Sequence, residues 1–166
     1  MPELPITVCE VTTPEGTQQY VALGSPEQML SRGLPAEAIV GVVLRPLEHG
    51  DTITPEVFAR NKTFVDFMHA VIALHAPQQG GCIAEARRLG NGWVYIIDQR
   101  TPTPQGPVPP QDIVGCFEVK DGQVVTGSYK PNDKHRILSA DGFCQLGAEL
   151  QQCLLEELEK RQVSGS

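Results

Sequence analysis

The chain has 166 residues, which is enough for one domain whose hydrophobic core needs no disulfide or metal to hold it together. Its 13 basic and 20 acidic residues give a net charge of −7, and this charge repels nucleic-acid phosphates and anionic lipid surfaces. We therefore expect neither nucleic acid nor membrane as a partner.

The cysteines and the first ten residues indicate a compartment. The five cysteines are an odd number, include no C-x-x-C pair and have no zinc-type spacing with histidine, as is typical of reduced thiols. The opening sequence MPELPITVCE has no basic start and no apolar run of signal-peptide length. The sequence predicts a soluble, cytoplasmic protein with no cofactor and no metal site.

The first half of the chain alternates strand and helix patterns. PITVCEV and QYVAL, separated by TPEGTQ, predict a hairpin, and SPEQMLSRG predicts a short helix between Ser25 and Gly33. AIVGVVL, residues 38–44, is typical of a buried strand. From Thr54 the apolar residues follow a helical period, which predicts a helix with Thr54 as N-cap and an end near His75.

The second half begins with a short helix, CIAEARRLG, and the strongest strand pattern, GWVYIID, residues 92–98. Residues 99–110 contain five prolines and predict an irregular loop. DIVGCFEV and VVTGSY flank the turn KDGQ and predict a second hairpin. A helix over about 141–161 carries a leucine stripe, and residues 163–166 are expected to be a frayed tail. The stripe consists of Leu146, Leu150, Leu154 and Leu158.

Two similar segments recur in the chain. LPAEAIVG, residues 34–41, and VPPQDIVG, residues 108–115, share Pro, Ile, Val and Gly at one constant spacing. YVAL at 20–23 likewise matches YIID at 95–98. One interpretation is an internal duplication with pseudo-repeats at about 5–76 and 82–161, and the alternative is chance recurrence of a turn-into-strand phrase.

These patterns together predict a single globular domain over residues 1–162. The expected fold class is α+β, a two-layer sandwich. It has a mainly antiparallel sheet of five to seven short strands, with the two longer helices on one face.

Common catalytic signatures are absent, so candidate site residues come from their positions. Asp98 and Arg100 lie where the strongest strand ends beside the Pro-rich loop, a frequent place for binding sites, although a plain ion pair is the simpler interpretation. His135 and Arg136 follow SYKPNDK and are positioned to face that strand end, with a solvated loop as the simpler interpretation.

Trp93 and Tyr95 alternate with apolar residues on the strongest strand and are candidates to line a pocket, although aromatic residues of strands more often pack in the core. His69 lies three residues after Asp66 on the predicted helix, where a surface hydrogen bond is the simplest role.

The block from GWVYIID through PPQDIVG to SYKPN and HRIL resembles small, stand-alone bacterial proteins of unassigned function, over roughly residues 54–158. The resemblance implies a soluble bacterial protein. It implies no activity, ligand or catalytic residue.

Three functional hypotheses remain open. The first is a non-catalytic module that binds a protein or a small molecule through the Pro-rich loop 99–110. The second is a small enzyme acting on a phosphorylated or nucleotide-like anion through Arg100, His135 and Arg136 against Asp98. The third is a homodimer formed through the terminal leucine stripe.

Overall fold

Strands form where β-branched and aromatic residues alternate with polar ones, and helices form over the amphipathic stretches. The structure is a computed structural model that describes residues 6–24, 35–45, 53–100, 109–139 and 142–164. The strands are β1 (Ile6–Thr13), β2 (Gly16–Leu23), β3 (Ile39–Val43), β4 (Phe58–Arg60), β5 (Gly92–Ile97), β6 (Ile113–Lys120), β7 (Gln123–Val124), β8 (Lys130–Pro131), β9 (Leu138–Ser139) and β10 (Gly142–Phe143). The helices are α1 (Lys62–His75), α2 (Gly80–Leu89) and α3 (Ala148–Ser164).

The described strands form three antiparallel sheets. The first has the order β1-β2-β3-β4, the second joins β5, β7 and β8 to β6, and the third is the pair β9-β10. Helix α1 packs on β3 and α3, whereas α2 packs on β5 and β7. The protein is therefore α+β with a two-layer arrangement, as predicted. The described residues form ten strands instead of the five to seven predicted, because several two-residue segments pair locally.

One hydrophobic cluster joins both halves of the chain. Helix α1 contributes Phe64, Phe67, Met68, Val71 and Ile72, and the predicted leucine stripe of the terminal helix is buried against them. The stripe therefore presents no apolar surface through which a second copy would bind. No helix in the described part of the chain is both long and apolar enough to cross a membrane.

The predicted helix start at Thr54 is wrong. Residues 55–57 form a 3-10 turn, and strand β4 follows it because Phe58 and Arg60 pair with Val43 and Gly41 of β3. The helix begins only after Asn61, whose side-chain oxygen accepts a hydrogen bond from the Thr63 N–H at 3.3 Å. Sheet pairing therefore outweighs the helical period in residues 57–60.

The start of the terminal helix also differs from the prediction. Residues 142–143 pair with 138–139 as a small hairpin, so the helix begins at Ala148 instead of near residue 141. At its other end the helix includes residues 163 and 164, which the sequence assigns to a frayed tail; ends of helices vary by such amounts. The helix predicted at 25–33 and most of the Pro-rich loop lie outside the described residues.

The second hairpin is confirmed at its turn, where Asp121 and Gly122 have φ of 52° and 75°, the conformation that a two-residue hairpin turn requires. Its returning strand is shorter than VVTGSY predicts. Only residues 123–124 continue the pairing, and residues 130–131 pair with another part of β6.

The two halves pair their strands in the same register. In the first half Tyr20 pairs with Val42, and a bulge follows Val21; in the second half Tyr95 pairs with Cys116, and a bulge follows Ile96. A 3-10 turn precedes the inner strand in each half, at Ala36–Ala38 and at Pro110–Asp112. These correspondences support the proposal of an internal duplication.

Candidate functional site

Four ionisable side chains form a buried group that we call the Arg100 cluster: Asp98, Arg100, Asp112 and His135. Asp98 directly follows β5, Asp112 directly precedes β6, and His135 follows β8. Their exposed fractions are between 2% and 8%, which is unusual for charged residues. The expected solvated loop at His135 is therefore wrong, because the chain after β8 turns inward at this residue.

Arg100 uses its guanidinium donors entirely inside the protein. Its Nε donates to Oδ1 of Asp112 at 3.0 Å, and its Nη2 lies 3.3 Å from Oδ2 of Asp98. It also donates to three backbone carbonyls, those of Gln111, Arg136 and Gly142, at 2.6 to 3.0 Å. The side chain has no exposed surface, so Arg100 cannot contact an external anion without breaking this network.

Asp98 accepts hydrogen bonds at both carboxylate oxygens. Oδ1 accepts from the backbone N–H groups of Arg100 (3.1 Å) and Gln145 (3.0 Å), and Oδ2 accepts from Nε2 of His135 at 2.9 Å. Burial alone would raise the pKa of Asp98, but these hydrogen bonds and the charge of Arg100 hold it below its usual value. Because a carboxylate only accepts, Nε2 of His135 carries its hydrogen.

Cys144 brings a third potential metal ligand near Asp98 and His135, and the three ligand atoms lie within 4.8 Å of one another. The donor set nevertheless suits a metal poorly. Asp98 already accepts from Arg100, His135 and Gln145, and the Arg100 cation lies beside it. Burial, and then the Asp98 carboxylate, raise the pKa of Cys144, so its thiol stays protonated.

The first half of the chain has apolar residues where the second half has this cluster. Leu23 is the last residue of β2, Asp98 directly follows β5, and Ala38 precedes β3 as Asp112 precedes β6. Phe64 is the third residue after Asn61, and His135 is the third residue after Asn132. All three apolar residues are at most 1% exposed. At these three positions the first half therefore buries apolar side chains where the second half buries ionisable ones.

The other candidate residues lie outside the cluster. Arg136 has an exposed side chain and contributes only its carbonyl oxygen. Trp93 and Tyr95 are 37% and 54% exposed, so the alternative interpretation, that they pack in the core, is wrong; Val94, between them, faces the core instead. Nζ of Lys130 lies 4.9 Å from the centre of the Trp93 ring, within the range of a cation–π contact.

Sequence reasoning missed Asp112 and Tyr129. The two IVG segments carry a signal for Asp112, because PPQDIVG has an acid where PAEAIVG has the buried Ala38. For Tyr129 no sequence signal exists. Its hydroxyl lies 2.6 Å from Nδ1 of His69, so His69 contacts a half-buried tyrosine and not Asp66 at the surface.

No known protein family, curated protein or solved structure matches this chain.

Proposed function

We propose that this protein is a non-catalytic module that recognises another protein through residues 99–110. The observation that carries the proposal is that Arg100, at the start of this segment, bonds the two residues just beyond its end. Its guanidinium donates to the Asp112 carboxylate and to the Gln111 carbonyl, both at 3.0 Å. The Asp98 N–H also donates to the Asp112 carbonyl at 2.7 Å. The two ends of the segment are thereby held together.

The composition of residues 101–108 suits recognition from such a base. The sequence TPTPQGPV has no charged side chain and three prolines, and each proline restricts its own φ. A segment with restricted backbone and fixed ends loses less conformational entropy when it binds. Proline-rich segments are bound by grooves lined with aromatic side chains, so we propose a partner with such a groove.

The cost of the Arg100 cluster supports a role beyond stability. Buried ion pairs seldom stabilise a protein more than apolar side chains of similar volume, because desolvation offsets their attraction. The corresponding positions in the first half of the chain hold buried apolar residues, Leu23, Ala38 and Phe64. Fixing the ends of residues 99–110 for recognition would explain why the second half has ionisable residues at these positions.

Trp93 and Tyr95 extend the proposed surface. They lie on the open face of β5, the strand that leads into the segment, and their exposed rings are of the type enriched at protein interfaces. We also propose that the protein acts in the bacterial cytoplasm, a location consistent with an odd number of cysteines and no C-x-x-C pair.

The test is to replace residues 101–108 with glycine and serine at equal length, which leaves the Arg100 cluster intact. A partner captured by the wild type is purified, and its dissociation constant is measured with each variant. We expect the replacement to weaken binding by about tenfold or more. The control is the pair Val8→Ser and Val11→Ser, which changes exposed apolar residues on the other sheet. Unchanged affinity after the replacement would contradict the proposal.

A small enzyme that acts on a phosphorylated or nucleotide-like anion is a second candidate, favoured by the 2.9 Å contact between Asp98 and His135. A carboxylate that orients a histidine is a common acid–base arrangement. Arg100 would not bind the anion, since its donors are already used. Turnover of phosphate esters by the wild type, abolished by His135→Asn in a variant that stays folded, would favour this candidate over the binding module.

A further inference from the structure

A cavity of about 290 Å³ lies between the start of α1 and the chain after β8. We call it the two-histidine cavity; its lining includes the charged and titratable residues Arg60, Lys62, Asp66, His69, Asp133 and His135. Its volume is at the lower end of the range for small-molecule sites. His135 is its link to the Arg100 cluster, because the ring bonds Asp98 through Nε2 and also lines the cavity.

The cavity has hydrogen-bond donors suited to an anion. Within the described part of the chain, Arg60 makes one long contact, from Nη1 to the His135 carbonyl at 3.4 Å, which leaves most of its guanidinium donors for a ligand. His69 offers a second donor. Burial keeps the Tyr129 hydroxyl protonated by raising its pKa, so we assign it as the donor to Nδ1 of His69, which leaves the hydrogen of His69 on Nε2.

The cavity also has acceptors. His135 is only 4% exposed, and its Nε2 donates to Asp98. No described residue forms a hydrogen bond with its other ring nitrogen, Nδ1. Asp133 adds a carboxylate at the rim. The other acid, Asp66, is paired with Lys62 at 3.1 Å, so the formal charges of the lining balance in a chain of net charge −7. A fitting ligand thus has charged oxygens for the donors and an O–H group for the acceptors.

We propose that the two-histidine cavity binds a partly protonated phosphate group, either free phosphate or the phosphate of a small ester. Arg60 and Nε2 of His69 donate to its charged oxygens, and Nδ1 of His135 or the Asp133 carboxylate accepts from its O–H. The proposal concerns residues outside 99–110, and it holds whether or not that segment recognises a protein.

The primary test is calorimetric titration of the full chain with inorganic phosphate at neutral pH. Sulfate at the same ionic strength is the comparison, because it has two charges and no O–H under these conditions. A site that accepts a hydrogen bond from its ligand discriminates against an analogue without the donor, so we expect sulfate to bind at least about tenfold more weakly. Equal affinity for the two ions would overturn the proposal, as would the absence of saturable binding by both inorganic phosphate and glycerol phosphate.

A variant pair separates the site from general electrostatics. Arg60→Gln removes a charge-assisted hydrogen bond and should weaken phosphate binding by about tenfold or more. Arg45→Gln removes the same charge from an exposed position outside the cavity and should change affinity by less than about twofold. Because both arginines are exposed, neither change threatens folding. Equal weakening by the two variants would count against a site at this cavity.

Histidine side-chain NMR locates the bound ion. The ring nitrogens of His69 and His135 should shift on phosphate addition, whereas those of His75, which contacts Glu157, should not. Shifts confined to His75, or equal for all three rings, would overturn the assignment. Glycerol phosphate tested beside inorganic phosphate then shows whether the ligand is an ester or the free ion, and binding of either supports the proposal.

Discussion

Asn132 makes in the second half of the chain the hydrogen bonds that Asn61 makes in the first. The amide of Asn61 donates to the carbonyls of Ala36 (3.0 Å) and Ile39 (2.9 Å), and the amide of Asn132 donates to those of Pro110 and Ile113, both at 2.8 Å. Their backbone N–H groups donate to the next carbonyls along, those of Val40 and Val114. Each asparagine thus secures a 3-10 turn to the start of a central strand.

Asn61→Asp and Asn132→Asp should destabilise the protein by similar amounts. Each change removes two amide donors and sets a carboxylate against two carbonyl oxygens, at a cost of about 1–3 kcal/mol in the free energy of unfolding. Urea denaturation measures the cost. The control is Asn91→Asp, because the side-chain oxygen of Asn91 accepts from the Asp121 N–H and its amide nitrogen donates to no described residue; we expect a change within about 0.5 kcal/mol there. A large cost at only one of the two asparagines would argue against equivalent roles.

Gly115→Ala should destabilise the protein through Tyr129. A Cβ at Gly115 would overlap the Tyr129 ring and hydroxyl, and a Cβ at Gly41 would overlap the Phe58 ring in the first half. Overpacking of this kind costs about 1–3 kcal/mol. In contrast, Gly81→Ala, at an open position in α2, should stabilise the protein by about 0.5–1 kcal/mol. Thermal unfolding of the variants should show shifts of opposite sign.

Arg100→Met should be among the most damaging single substitutions. It leaves two buried carboxylates, Asp98 and Asp112, without their cation, at a cost of about 3–5 kcal/mol. The combined variant D98L/R100M/D112A/H135F places first-half residue types at three of the positions. We expect its free energy of unfolding to return to within about 1 kcal/mol of the wild type or to exceed it.

The combined variant also bears on function. If the Arg100 cluster serves recognition, this variant folds but binds the partner of residues 99–110 more weakly. A combined variant that is no more stable than Arg100→Met alone would instead identify the cluster as a structural necessity of the second half.

Stability should depend on pH through His69. Burial, and then the neighbouring His135 and Arg60, lower its pKa from the usual 6.5 to about 4. Between these values the unfolded chain binds a proton that the folded chain does not. The neutral ring therefore makes its full contribution to the free energy of unfolding above about pH 6.5. This contribution declines as the pH falls, by at most about 1.4 kcal/mol per pH unit.

His69→Phe isolates this contribution from that of Asp98, whose lowered pKa also makes acid destabilising. At neutral pH the free energy of unfolding of the variant should be about 1–3 kcal/mol below that of the wild type, because the Tyr129 hydroxyl loses its acceptor. The difference between wild type and variant should shrink as the pH falls toward 4. A difference that stays constant with pH would contradict the assignment of a neutral His69.

Several site residues were predictable from the sequence, and others were not. The end of a strong strand beside a proline-rich loop pointed to Asp98 and Arg100. Burial of His135 was not predictable, because its partner Asp98 lies 37 residues away along the chain. Trp93 and Tyr95 were predicted as candidates to line a pocket, with core packing as the alternative. The sequence could not decide between the two, since a period-2 pattern shows that two faces differ but not which face is covered.

By itself the sequence determined the local elements: the hairpin at Asp121 and Gly122, the strands of the two IVG segments and the amphipathic helices. Backbone preference and apolar periodicity act over a few residues and can be recognised in a single segment. Only the tertiary structure decided that Asp98, Arg100, Asp112 and His135 meet away from water and that His135 borders a cavity beside Arg60 and His69. Burial and hydrogen-bond satisfaction depend on segments distant in the chain, so they become defined only when the sheets and helices pack.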